Sequence, residues 1–173
     1  MKFSFAFILI LLIPNLALAK TNSLCKAGEQ TFFSCTANKE KLISVCGSKD
    51  LSETNGYLQY RFGKLNEKPE LTFPSSNQHP KGNFDIADEG GAKSSHLNLR
   101  FKIDSFTYVV YSSTYAFGPY YEAAGVASKK ESKTIRYTTC KKQIDQRNFH
   151  SLQFLGLPTV NREDFTFEPQ IQL

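Results

Sequence analysis

Four cysteines, three histidines and one cluster of carboxylates are the side chains of this sequence best suited to chemistry. Cys25, Cys35, Cys46 and Cys140 are separated by 9, 10 and 93 intervening residues. Zinc thiolates usually come in close pairs such as C-x2-C, so this spacing argues against a metal site. An even set of cysteines in an exported chain predicts two disulfides, and the three possible pairings stay open at the level of sequence. Every pairing carries Cys140 back to the N-terminal segment and closes a long loop, for which chain entropy gives about 4 kcal/mol.

The histidines, His79, His96 and His150, are spaced for neither a zinc pair of the H-E-x-x-H kind nor a nucleophile motif, and no G-x-S-x-G occurs. Asp85, Asp88 and Glu89 cluster in "FDIADEGG", but the EF-hand pattern is missing. Acid pairs on a flexible loop also lack the rigid placement that acid/base catalysis needs. "EGGAKSS" is glycine-rich without the strand-to-helix context of a phosphate loop. No catalytic, cofactor-binding or metal residue is therefore assigned, and no cofactor is expected. The enzymatic alternative is an activity on envelope polysaccharide or peptide that uses His96 or His150 with the loop carboxylates.

The compartment is set by the opening, "MKFSFAFILILLIPNLALAK". An early Lys2, an uncharged run from Phe3 to Ala19 and the small residues Ala17 and Ala19 spell a secretory signal peptide cleaved after Ala19. Pro14 and the shortness of the run argue against a retained span, which needs roughly 20 residues. No cysteine directly follows the small residues, so a lipid anchor is not expected. Cleavage leaves 154 residues, one domain's worth, expected in the periplasm or outside the cell with no membrane span. Charge is mildly basic, 21 Lys+Arg against 16 Asp+Glu, and the excess is scattered rather than striped, which excludes a nucleic-acid partner.

Short apolar segments alternate with turn signals, the pattern of an all-β protein. An antiparallel β-sandwich or small barrel of about 7–8 short strands is expected over 20–140, with an irregular extension over 141–173, holding one or two helical turns over 149–155, that packs on the domain or stays partly disordered. The clearest signal is "HLNLRFKI", where Leu97, Leu99, Phe101 and Ile103 alternate with Asn98, Arg100 and Lys102. A two-residue turn at Asp104-Ser105 would place Ile103 opposite Phe106, Phe101 opposite Tyr108 and Leu99 opposite Val110. Hairpins are also expected around "TANKE" and "KES", and a long mobile loop over 74–95.

The segments "CKAGEQTFFSC", "KLISVCGS", "GYLQYRFGK", "RFKIDSFTYVVYSS" and "EAAGV" resemble a family of small exported bacterial proteins to which no activity is assigned. The resemblance covers most of residues 25–140. It implies a β-rich, disulfide-containing envelope domain from a Gram-negative source and brings no cofactor or partner.

Binding then becomes the leading expectation. "YVVYSSTYAFGPYYEAAG" places Tyr108 and Val110 toward the core and Tyr111 on the opposite face. Tyr115, Phe117, Tyr120 and Tyr121 surround a Gly-Pro connection that either plugs one end of the fold or offers aromatic anchors to an envelope protein or glycan. The expected function is a non-catalytic, inhibitor-like envelope module. A small outer-membrane β-barrel is a further alternative, disfavoured because such strands need 9–11 residues with an apolar outer face.

Overall fold

A computed structural model describes residues 22–116, 121–131 and 133–160, without the side chain of Tyr121. The period of two in "HLNLRFKI" seeds its best-defined hairpin. Strands β6 (Ser94–Ile103) and β7 (Phe106–Tyr115) pair across Asp104-Ser105 in the predicted register, Ile103 with Phe106, Phe101 with Tyr108 and Leu99 with Val110. Asp104 takes the positive φ, 50°, that the tight turn demands and that Asp tolerates better than most residues.

The remaining strands extend this pattern into two five-stranded antiparallel sheets. In the first, β1 (Gln30–Thr36), β2 (Lys41–Gly47), β3 (Leu58–Lys64) and β4 (Leu71–Phe73) lie side by side, and β10 (Lys142–Asp145) returns to pair with β1. In the second, β5 (Asp85–Gly91), β6, β7, β8 (Tyr121–Lys130) and β9 (Lys133–Thr139) follow one another as a meander. The protein is an all-β sandwich.

One core fills the space between the sheets. Phe33, Cys35, Ile43, Val45, Leu58 and Tyr60 of the first face Leu97, Leu99, Phe101, Val110, Ala124 and Val126 of the second. Phe101 is its hub, with the rings of Tyr60, Phe73 and Tyr108 at 4.9, 4.8 and 5.1 Å. Burying each such ring stabilises the fold by about 2–3 kcal/mol.

Two segments differ from expectation. Within the predicted loop over 74–95, Asp85–Gly91 is strand β5, joined to β6 through the turn Ala92-Lys93. Its acids and glycines are poor strand formers, but the ladder with β6 and the burial of Ile86 and Ala87 outweigh that propensity. After Cys140, the residues 149–155 expected to make a helical turn or two form a 3₁₀ helix, Phe149–Leu155, while β10 joins the first sheet as an unforeseen strand. Phe149, Leu152 and Leu155 recur every third residue, matching three residues per turn, and enter the core together with Leu157. With β5 and β10 the strands among the described residues number ten.

Both disulfides form. Cys25–Cys46 spans 21 residues and Cys35–Cys140 spans 105, the latter tying β1 to the residue that follows β9. Among the described residues no helix is long and apolar enough to cross a membrane.

Candidate functional site

Of the predicted aromatic surface, only Tyr111, Tyr115 and the backbone of Tyr121 lie among the described residues. Tyr111 lies on the outer face of the second sheet, as alternation requires, yet it is 2% exposed and presents no surface. The cause is Gly125 on the neighbouring strand: an added Cβ there would sit 2.8 Å from the Tyr111 hydroxyl, so the missing side chain is what lets the ring lie down. Tyr115 is half-buried, with its ring edge-on to His96 at a centroid distance of 4.6 Å. Phe117 and Tyr120 lie outside the described residues. Of Tyr121 the backbone is described, paired with Tyr115.

The candidate acid/base residues do not converge into a catalytic set. Asp85 is held by Arg100, Oδ2 to Nη2 at 2.7 Å. Asp88 alternates to the face of β5 opposite Asp85 and Glu89. The ladder does set Glu89, His96 and Ser113 in one row across β5, β6 and β7, but Ser113 is buried and offers no nucleophile to a substrate in solution. The ring of His79 is bound to the Ser52 carbonyl oxygen at 3.2 Å, and His150 lies on the 3₁₀ helix.

The outer face of the first sheet carries a polar groove of about 830 Å³ beside the N-terminal segment that Cys25 pins to Cys46. On its floor the Arg61 guanidinium donates to both Glu29 oxygens at 2.6 and 2.7 Å, to the Leu24 carbonyl at 2.9 Å and to Gln59 at 2.6 Å. Burial works against the Glu29 charge. The hydrogen bonds from Arg61, the Lys26 N–H and the Tyr57 hydroxyl outweigh it and hold the carboxyl below the ordinary glutamate range. Gln59 in turn donates to the Pro74 carbonyl at 2.8 Å. This floor is saturated with internal partners, so the groove is built as a structural clasp. Cys25, Glu29 and Cys46 also lie close together, but both sulfurs are committed to the disulfide and cannot act as thiolate ligands.

A second cleft, of about 460 Å³, opens between the two sheets. Its origin lies in the inward positions of β8 and β9. Alternation carries the inner face of β8 from Ala124 and Val126 to Ser128, while β9 contributes Thr138 and Arg136. Small or polar residues here stand where the middle of the sandwich has Leu and Phe, so the sheets do not close on each other. Tyr60, Phe62, Leu71, Tyr108 and Val126 form the apolar lining.

Tyr60 is the telling residue of this lining. It is 2% exposed, and among the described residues its hydroxyl has no hydrogen-bond partner. Its ring lines the cleft. Burial, and to a lesser extent the neighbouring Tyr108 phenol, pushes its pKa above the ordinary tyrosine range, so it stays a neutral donor. At the rim, Lys41 lies 2.7 Å from Glu70 and stacks 5.2 Å over the Phe62 ring. Sequence alternation identifies Tyr60, Phe62 and Tyr108 as strand residues with an inward face, but the gap between them depends on which strands meet across the sandwich.

Compared with family models, with curated proteins and with solved structures, the chain matches none.

Proposed function

We propose that this chain is an exported, non-catalytic binding module of the bacterial envelope, and that the cleft between its sheets receives an apolar group of its ligand. The observation that carries this reading is Tyr60: a nearly buried phenol that lines a cleft with an apolar wall and a polar rim, and whose hydroxyl has no hydrogen-bond partner among the described residues. Ligand sites are commonly built this way, from an apolar lining with a few placed polar groups and a volume of several hundred Å³. The signal-like opening, the two disulfides and the resemblance to exported bacterial proteins support placement in an oxidising envelope compartment.

Titration of the exported, oxidised protein with the neutral fluorophore N-phenyl-1-naphthylamine tests the reading. Saturable binding is expected, and Ser128→Trp, which fills the cleft from a half-exposed position, is expected to abolish it while leaving the thermal unfolding transition in place. Equal binding by both proteins, or none by either, contradicts it.

A second reading rests on the half-buried Tyr115 beside His96, which leads into the aromatic connection. Under it, an envelope protein or glycan docks through Phe117, Tyr120 and Tyr121. A photoreactive residue at Phe117 then gives a discrete adduct in vivo that a probe at exposed Lys133 does not, whereas equal labelling at both positions rejects it.

A further inference from the structure

The charges around the cleft say what kind of molecule it takes, an inference that rests on the binding reading above. We propose that the ligand is an amphiphile with an anionic head and an apolar body, the head held by Arg136 and Lys39 and the body lying against Tyr60, Phe62, Tyr108 and Val126. Three cations, Lys39, Lys41 and Arg136, line the cleft against one carboxylate, Glu70. Glu70 is already committed to Lys41 at 2.7 Å, and the adjacent Glu40 to Lys142 at 3.2 Å. Among the described residues Arg136 and Lys39 have no ion pair. A cationic ligand would be repelled by this rim and a neutral one would gain nothing from it, whereas a carboxylate or sulfate would gain charge-assisted hydrogen bonds.

The placement of the two groups fits such a ligand. Arg136 sits opposite Ser128 in the ladder, on the strand face that lines the cleft, while Lys39 lies in the turn between β1 and β2 with a positive φ of 58°. Each cation thus flanks the apolar lining. The Tyr60 hydroxyl adds a neutral donor for the head or for a polar atom of the body.

Arg136 has a competing structural explanation. It lies on β9, an edge strand of the second sheet, where an inward-pointing charge also discourages edge-to-edge pairing. That role predicts aggregation when the charge is removed and no effect on binding. A ligand role predicts the converse.

The test is displacement of bound N-phenyl-1-naphthylamine from the exported, oxidised protein by dodecanoate, by 2-naphthoate and by uncharged dodecanol, in the wild type and in the double variant Arg136→Gln, Lys39→Gln. One or both carboxylates should displace the probe, with dodecanoate at least about tenfold tighter than dodecanol if the body is an alkyl chain, and 2-naphthoate the tighter acid if it is aryl. The double variant should lose that preference for anions by about tenfold. If dodecanol displaces the probe as well as both acids do, or if the double variant keeps full affinity for the acids, the anionic class is wrong while the binding reading survives. If the probe does not bind at all, both fall together.

Discussion

The Arg61 guanidinium and the Glu29 carboxylate lie fork to fork, Nη1 to Oε2 at 2.6 Å and Nη2 to Oε1 at 2.7 Å, with both side chains almost completely buried outside the first sheet. A buried pair of this kind contributes little over an apolar substitute, but breaking it strands a charge. Glu29→Gln is therefore expected to lower unfolding stability by about 3 kcal/mol in urea titration, and Glu29→Gln with Arg61→Met to recover part of the loss. A single-variant cost near zero would show that the clasp does not hold the N-terminal segment.

The same pair sets an acid dependence. The Glu29 carboxyl is held below its ordinary range in the folded protein, so its contribution is fully present above the unfolded pKa, about 4, and disappears as pH falls through the lower folded value. Urea titrations at successive pH values below about 4 should show the wild type losing stability more steeply than Glu29→Gln. Parallel curves would remove Glu29 from the acid response.

The two disulfides should differ in weight because they close loops of different length. By chain entropy, cross-linking over 21 residues is worth about 3 kcal/mol and over 105 residues about 5 kcal/mol. Replacing Cys35 and Cys140 together by Ala is expected to destabilise more than replacing Cys25 and Cys46, as measured by denaturant midpoint at equal slope. The reverse order would mean that fastening the N-terminal segment matters more than joining β1 to the end of β9.

Gly125 is a third point of sensitivity. A Cβ there would meet the Thr138 carbonyl oxygen on β9, which is backbone and cannot turn aside, as well as the Tyr111 ring. Gly125→Ala should cost about 1–3 kcal/mol and weaken hydrogen-exchange protection along β8 and β9. Unchanged protection would show that the second sheet relaxes around the methyl group.

How much of this was legible in the sequence varied by element. The β6–β7 hairpin was readable because a strict period of two and a two-residue turn admit one register that puts Ile103, Phe101 and Leu99 on one face with their partners. Strand β5 was not, because Asp85, Asp88, Glu89 and the glycines carry loop chemistry and only the long-range ladder makes them a strand. After Cys140 the helical turn over 149–155 was readable but its part in the core was not, because a 3₁₀ helix buries every third residue, a pattern too short to stand out among polar neighbours. Tyr111 was placed on the correct face, but its burial depends on Gly125, a strand away in space and 14 positions away in sequence. The cleft was the least legible feature, since it arises from what Ser128 and Thr138 leave unfilled opposite Phe62 and Leu71. Which residues meet across two sheets is not written in either strand.

The central claim is that the space between the sheets is a binding site, and amide and aromatic NMR shift mapping with N-phenyl-1-naphthylamine tests it most directly. Shifts concentrated at Tyr60, Phe62, Tyr108, Val126 and Ser128, with Thr72 and Asn98 on the outer faces silent, are the predicted result. Shifts confined to Tyr115 and its neighbours, or no saturable shifts at all, would contradict it.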